Sequence, residues 1–262
     1  MGHALLSPSG AHIWLHCTPA VRAAEHLPNP PNAYTEEGTL AHAMGARALK
    51  LRYMPRTDTK GEEEEIRRYW DKYGSSTMWA YTGMYTGYIE GLVARARRAG
   101  GGCRVLVEQP LDLREWVPES YGTGDCVILS DGRLDIVDLK YGRGVKVEAP
   151  LNPQLMLYGL GALGVMPLHY DVRTVSMHIV QPRRLNISTY TLSRRELLLW
   201  AGETLRPRAL RAWRGEGERQ AGDWCRFCMA KTDCRAYTTL DSRQRRDGFN
   251  EYDFRDLTDL IQ

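Results

Sequence analysis

Residues 122–140 read GTGDCVILSDGRLDIVDLK and predict the centre of the fold. Two runs rich in branched apolar side chains flank a Ser-Asp-Gly tripeptide at residues 130–132, which is typical of a tight turn. The pattern predicts two antiparallel strands joined as a hairpin. Since strand side chains alternate between two faces, Asp138 and Lys140 are predicted to project from one face, while Leu139 packs on the other.

A second carboxylate is predicted to lie close to Asp138. Asp125 precedes the turn and Asp138 follows it, each by about six residues, so antiparallel pairing places them on neighbouring strands. Two such carboxylates can hold one hard cation. A divalent cation lowers the pKa of a bound water and neutralises charge on a phosphate, while Lys140 would handle that water. For so short a motif the alternative is an ordinary surface ion pair.

The rest of the chain alternates between helical and strand periodicity, which predicts a mixed α/β layout with antiparallel pairing in the hairpin. The predicted helices begin after a cap at Ser7, from a cap at Thr35, in the acidic run at 61–65, and at about 78–98, 154–163 and 193–213. The predicted strands are 103–108, 124–129, 133–140, 172–180 and 187–192.

Composition indicates an ordinary globular protein of one large or two small domains. The 262 residues are 43% hydrophobic with a net charge of +3, which excludes disordered, collagen-like and repeat classes. Six of the 35 basic residues are Lys and the rest Arg, an excess that suits phosphate binding and equally a GC-rich genome. No signal peptide is recognisable, and the longest uncharged apolar run, 155–168, is too short to span a bilayer, so we expect a cytoplasmic protein.

Four of the six cysteines are candidate metal ligands. The C-terminal triplet C-x2-C-x5-C comprises Cys225, Cys228 and Cys234. One ligand is then missing for a four-coordinate site, and Cys17 is the candidate. Spacing alone leaves zinc and an iron-sulfur cluster open. Cys103 and Cys126 lie in predicted strands and are interpreted as small core residues.

Four motifs in order resemble those of a known nuclease family. They are GT-x-x-H ending at His42, G-x-x-D ending at Asp125, D-x-K at 138–140, and Q-x-x-x-Y from Gln154 to Tyr158. Together they resemble the motif series of RecB-type PD-(D/E)XK nucleases, which include the Cas4 proteins. The stretch DLKYGRGV at 138–145, followed by NPQL at 152–155, is similar to a phage-associated branch of the DUF2800 type. The resemblance covers roughly Ser7 to Cys234.

The resemblance implies a restriction-endonuclease-like mixed sheet flanked by helices, and a role for each matching residue. It implies that His42, Asp125 and Asp138 coordinate Mg²⁺ or Mn²⁺ and that Lys140 assists the attacking water. Gln154 and Tyr158 would contact the substrate. Glu108 is a further candidate carboxylate, ranked below these because a Glu at a strand end is usually exposed. Two departures are an Asp where many members have Glu, at Asp138, and the lack of the Pro that names the superfamily.

The resemblance also implies a cofactor. Cas4 and the AddB nuclease hold a [4Fe-4S] cluster with one N-terminal Cys and a C-terminal triplet of this spacing. Carried over, the cluster joins the terminal helices through Cys17, Cys225, Cys228 and Cys234. The implied layout is one nuclease domain over 1–262, with cluster-binding elements at 9–20 and 222–236, a catalytic core at about 100–192 and a tail at 236–262.

The expected activity is metal-dependent hydrolysis of DNA. The resemblance implies a 5′–3′ exonuclease of phage or bacterial recombination, replication or repair. Its expected partners are DNA single strands or duplex ends and a single-strand annealing or replication protein, with no membrane; an oligomer is compatible with the sequence. The alternatives are a catalytically silent DNA-binding or scaffolding protein and an endonuclease. The aromatic and acidic tail at 248–262 could dock a partner or another subunit, although packing on its own domain is simpler.

Overall fold

A five-stranded mixed sheet in the order β1-β2-β3-β4-β5 forms the centre of this computed structural model, which describes residues 4–99, 102–166 and 171–239. The strands are β1 (Arg104–Asp112), β2 (Tyr121–Ser130), β3 (Arg133–Leu139), β4 (Thr174–Gln181) and β5 (Asn186–Ser193). The helices are α1 (Ala11–Trp14), α2 (Ala20–Ala24), α3 (Ala33–Tyr53), α4 (Lys60–Tyr73), α5 (Ser76–Arg98), α6 (Pro153–Gly164), α7 (Arg194–Trp200), α8 (Arg206–Arg214) and α9 (Arg235–Thr238). The predicted mixed α/β class is confirmed.

The predicted hairpin is formed by β2 and β3. Ser130 pairs with Arg133 and Cys126 pairs with Val137 in an antiparallel ladder. Gly132 has a φ of 71°, the left-handed conformation that a tight hairpin turn requires and that glycine adopts without strain. Continuing this register by one residue places Asp125 opposite Asp138.

A parallel crossover follows the hairpin. β3 pairs in parallel with β4, and the connection between them carries α6. The Asn152 side chain caps α6 by accepting hydrogen bonds from the backbone N–H groups of Gln154 and Leu155, and Pro153 occupies the first turn, where no N–H is needed. The crossover therefore begins at Lys140 and brings Gln154 back beside the end of β3.

The sheet is buried on both faces. Leu134 and Ile136 belong to the core beneath α1, α6, α7 and α8, while Val137 and Leu139 belong to the core beneath α3 and α5. The alternation predicted for residues 138–140 is confirmed, because Leu139 packs on the second core while Asp138 and Lys140 contact each other.

Two helix boundaries differ from the predictions. The helix expected to start at Thr35 starts at Ala33, because Asn32 caps it and Thr35 is the third residue of a reciprocal capping box. The helix expected over 193–213 is split into α7 and α8 by a π-helical turn, Ala201–Leu205. Pro207 lacks a backbone N–H and so interrupts the helical ladder just after this turn.

The N-terminal segment is hydrogen-bonded to α8 and to the residues that follow it. Arg22 Nε donates to the backbone oxygen of Trp213 at 2.7 Å, and Thr18 and Arg208 make further hydrogen bonds, to Glu216 O and Leu15 O. The predicted tail at 236–262 lies, beyond Thr239, outside the described residues. Within the described ranges, the longer helices all fall short of the sustained apolar character needed to cross a membrane.

Candidate active site

The two predicted carboxylates lie at the open end of the hairpin. Asp125 Oδ2 accepts a hydrogen bond of 2.7 Å from the backbone N–H of Leu139, which ties the middle of β2 to the end of β3. Asp138 is 2% exposed. The predicted proximity of the two acids is confirmed by this bond and by the register of the hairpin.

Lys140 joins Asp138 to the helix α6. Its Nζ lies 2.9 Å from Asp138 Oδ2 and donates to Gln154 Oε1 at 2.8 Å. The Gln154 amide donates in turn to Asp138 Oδ1 at 3.2 Å and to the Tyr158 hydroxyl at 3.0 Å. Gln154 and Tyr158, one turn apart on α6, therefore orient the acid and the lysine as a unit.

Helix α3 brings His42 to the same acids. Its Nδ1 lies 3.3 Å from Asp125 Oδ2, and the side chain is 35% exposed, so the site is open on this side. Ligand atoms of His42, Glu108 and Asp125 all lie within 4.8 Å of one another. The structure thus brings the predicted motif histidine to the predicted acids.

Glu108 lies closer to the centre of the site than its low ranking from the sequence suggests. It lies within β1, where the β1–β2 ladder passes from Val107 to Gln109 and leaves Glu108 and Asp125 unpaired. Its φ of 51° is left-handed, which is strained for a residue with a Cβ. This local twist of the strand accompanies the approach of its carboxylate to Asp125. No residue type at this position signals such a conformation, so the sequence could not rank Glu108 higher.

The pKa values of the four groups reflect their mutual charges. Burial lowers the pKa of His42, but Asp125, then Asp138 and Glu108, outweigh it and raise that pKa to about 9. Burial and the Asp125 charge raise the pKa of Glu108 to about 7. The pKa of Asp138 is raised by burial. The pKa of Asp125 is lowered, because its burial is outweighed by His42 together with the Leu139 N–H and the Lys140 charge. The three carboxylates therefore repel one another, and a bound cation would reduce this repulsion.

The donor set fits a divalent cation. Within the part of the chain that the structure describes, Asp138 Oδ2 is buried and accepts no hydrogen bond, although the Lys140 ammonium lies beside it as a charge partner. Carboxylate oxygens suit Mg²⁺ and Mn²⁺, and an imidazole nitrogen favours Mn²⁺, because Mg²⁺ prefers oxygen ligands more strictly. His42, Glu108 and Asp125 supply the compact group. Asp138 lies outside this group, on the strand next to Asp125 by the register of the hairpin.

The four cysteines of the predicted cluster line one largely apolar pocket at the meeting of the N- and C-terminal segments. They are Cys17, Cys225, Cys228 and Cys234. Among the described residues, no three of these sulfurs lie within 4.8 Å of one another. The structure therefore brings the four residues to one pocket without forming a ligating group of sulfurs. Cys126 is fully buried in the core, as predicted, and Cys103 is half-buried at its edge.

The Arg excess suits phosphate binding, but three of the arginines near the sheet lie in two separate places. Arg183 binds Glu37 at 2.6 Å and stacks over Tyr141 at 4.7 Å, so it has a structural role beside the site. Arg194 and Arg195 line a groove at the start of β4, the end of the sheet opposite Asp138. This second group does not border the candidate active site.

A comparison with protein-family models identifies the chain. The model described as "Protein of unknown function (DUF2800)" matches residues 3–260, nearly the whole sequence. The match includes the acids, the lysine, the histidine and the four cysteines described above. The chain belongs to the DUF2800 family.

Proposed function

We propose that the protein is a metal-dependent nuclease that hydrolyses phosphodiester bonds in DNA, on a restriction-endonuclease-like fold. The observation that carries this proposal is the convergence of Asp125, Asp138 and Lys140 with His42 at one end of the sheet. A structural ion pair would need one acid and one base. Here three carboxylates crowd one lysine and one histidine, an arrangement that costs stability unless a cation binds.

The roles of the residues follow from their positions. His42, Glu108, Asp125 and Asp138 would hold Mn²⁺ or Mg²⁺, which when bound neutralises charge on the phosphate and acidifies water. Lys140, whose ammonium lies beside Asp138 and donates to Gln154, would offer a further N–H to the attacking water or a phosphate oxygen. Gln154 holds both Lys140 and Asp138 in place, so it keeps the amine and the acid in fixed relation during the reaction.

The cysteine pocket would hold the [4Fe-4S] cluster. What supports this is that Cys17 lines the same apolar pocket as Cys225, Cys228 and Cys234, although about two hundred residues of chain separate it from them. Zinc in a four-thiolate site needs sulfurs about 3.8 Å apart, whereas a cluster of several iron atoms accepts a wider set. The cluster would hold the N- and C-terminal segments together. It would take no part in the hydrolysis, which the metal-binding acids and Lys140 would carry out.

Spectroscopy and metal analysis test the cluster. Protein purified without oxygen should be brown, with a broad absorption band near about 400 nm and bound iron. The band should be lost in Cys17→Ser and kept in the control Cys103→Ser. Cys103 immediately precedes β1 and does not line the cysteine pocket. Colourless protein that contains zinc, or no metal, would show that the cluster assignment is wrong.

A cleavage assay tests the nuclease. Purified protein should degrade end-labelled single- and double-stranded DNA with Mn²⁺ and more slowly with Mg²⁺. Asp138→Asn and Lys140→Ala should each lower the rate by at least about 10²-fold. The matched controls Asp58→Asn and Lys60→Ala alter an exposed acid and an exposed lysine and should cut normally.

The same assay separates the alternatives. Loss of label from linear DNA with intact circular DNA indicates an exonuclease, and nicking of circles indicates an endonuclease. DNA binding without turnover, unchanged in Lys140→Ala, would contradict the proposal and favour a silent DNA-binding protein. We further propose that the protein acts in the bacterial cytoplasm on phage or host DNA, with a single-strand annealing or replication protein.

A further inference from the structure

The segment 141–149, which leads from β3 toward α6, is held in place by a buried glutamine. These residues form neither helix nor strand. Gln181, 1% exposed at the end of β4, donates its amide N–H groups to the backbone oxygens of Gly142 at 2.9 Å and Val145 at 2.7 Å. Its side-chain oxygen accepts the backbone N–H of Val147 at 3.2 Å. One buried side chain therefore fixes the path of the segment at three points.

Two further carbonyls of the segment are bonded from the connection between β4 and β5. Arg184 Nη1 donates to the backbone oxygen of Arg143 at 2.7 Å, and Asn186 Nδ2 donates to that of Val147 at 2.8 Å. Asn186 is the first residue of β5. Together with the two carbonyls bonded to Gln181, four carbonyl oxygens of the segment are therefore turned toward this connection.

The N–H groups that follow these carbonyls face away from the connection. In a trans peptide the C=O group and the next N–H group point in opposite directions, and the described residues contain no cis peptide bond. The N–H groups concerned belong to Arg143, Gly144 and Lys146. Within the part of the chain that the structure describes, none of the three has a hydrogen-bond partner. Unbonded N–H groups clustered in one short segment are a recurrent site for anions.

The two glycines of the segment are not required by packing or by backbone conformation. Gly142 and Gly144 are exposed, and a Cβ added to either would meet no atom within 4 Å. Neither is among the glycines with positive φ. A further use of glycine is to let a ligand approach the backbone closely, and the unbonded N–H of Gly144 lies where such a ligand would bind.

The charge around the segment is positive. The Arg143 side chain is exposed between the two glycines and makes no ion pair among the described residues, and Arg184 is bonded to its backbone oxygen. Lys146 is paired with Glu148. Lys140 of the candidate active site lies three residues before Arg143, a separation of at most about 11 Å along the chain. An anion bound by the segment would therefore lie near this lysine.

We propose that this segment binds a phosphate group of the DNA backbone next to the phosphate that is cleaved. The N–H groups of Arg143 and Gly144 donate to its oxygens, and the Arg143 guanidinium adds charge-assisted hydrogen bonds. The site fixes where the strand lies and takes no part in breaking the bond. The inference rests on the proposed nuclease function, and it assigns Gln181 as the positioning residue that keeps the N–H groups directed outward.

Binding of fluorescent single-stranded DNA, measured by anisotropy without divalent metal, tests the site independently of turnover. Arg143→Ala should raise Kd about 10-fold at low salt and lower the slope of log K against log salt by about 0.7, the value for one phosphate contact on a single strand. The control Arg195→Ala alters an exposed arginine at the opposite end of the sheet and should keep the wild-type Kd and slope. Equal Kd and slope in Arg143→Ala and wild type would overturn the proposal.

Glycine substitutions test the part played by the backbone N–H groups. Gly144→Ala should weaken DNA binding at least about fivefold without lowering thermal stability, because the added Cβ would meet only the ligand. Gly202→Ala, at another exposed glycine with no atom within 4 Å of an added Cβ, should leave DNA binding unchanged. Equal DNA affinity of the two variants would show that no phosphate contacts the backbone of the segment.

The cleavage assay separates this inference from the nuclease proposal. If wild-type protein cuts DNA, Arg143→Ala should raise KM for DNA more than it lowers kcat. The reverse would place this arginine at the cleaved phosphate and overturn the inference. If wild-type protein binds DNA and cuts none, the nuclease proposal fails, while a lower affinity of Arg143→Ala still supports the phosphate site. Wild-type protein that binds no DNA overturns both.

Discussion

The left-handed backbone at Glu108 makes a quantitative prediction about stability. An L-residue in this conformation costs about 1–2 kcal/mol, whereas glycine adopts it freely but loses about 0.5–1 kcal/mol of extra chain entropy on folding. At a φ of 51° the first effect exceeds the second. Glu108→Gly should therefore be more stable than Glu108→Ala by about 0.5–1 kcal/mol, although glycine is usually the worse residue within a strand.

The next residue on the same strand is the control. Gln109 is half-buried and is not among the residues with positive φ, so Gln109→Gly should be less stable than Gln109→Ala by about 0.5–1 kcal/mol. Urea unfolding of the four variants without added metal measures both differences. The difference in the free energy of unfolding between the glycine and alanine variants should have opposite signs at positions 108 and 109. If alanine is at least as stable as glycine at position 108, the strain inferred from the backbone there is absent.

Two other predictions concern residues of the site. Gly122→Ala should lower the free energy of unfolding by about 1–3 kcal/mol, because the added Cβ would lie within 3.0 Å of Pro8 and Tyr158. Gly124→Ala should lower it less, since the nearest atom to its added Cβ is 3.3 Å away. Thermal unfolding compares the two variants, and equal losses of stability would contradict this packing. The raised pKa of His42 means that its ion pair stabilises the fold fully below pH 6.5 and is lost as pH rises through about 9. Urea unfolding of metal-free protein should show this loss in wild type but not in His42→Gln, and an identical pH profile in both would refute it.

The hairpin and its acids were predictable because short-range patterns determine them. A turn signal at 130–132 fixes the register, and the register fixes which residues are opposite each other. The alternation of side chains along β3 then separates Asp138 and Lys140 from Leu139. These features need no knowledge of the rest of the chain, and the predicted pairing is confirmed.

Features that depend on tertiary context were not predictable in the same way. The place of Glu108 depends on a local twist of β1 that its neighbours in sequence do not indicate. The His12 ring packs edge-to-face on Phe227, over two hundred residues further along the chain, a contact that no local pattern indicates. The break in the long C-terminal helix could have been inferred from Pro207, since proline removes the N–H that the ladder needs. The start of α3 was misplaced because Thr35 is also a common N-cap residue, although Asn32 is the stronger cap by residue type.

The attachment of the N-terminal segment to α8 sets an order of events during synthesis. Thr18 and Arg22 bind backbone oxygens that lie 198 and 191 residues further along the chain. At about 5–20 residues per second, a ribosome needs on the order of ten seconds or more to make those partners. During that interval Trp14 and Leu15, which are fully buried in the finished protein, lack their native cover and offer an apolar surface to chaperones. The first part of the chain to be made is thus among the last to reach its native contacts.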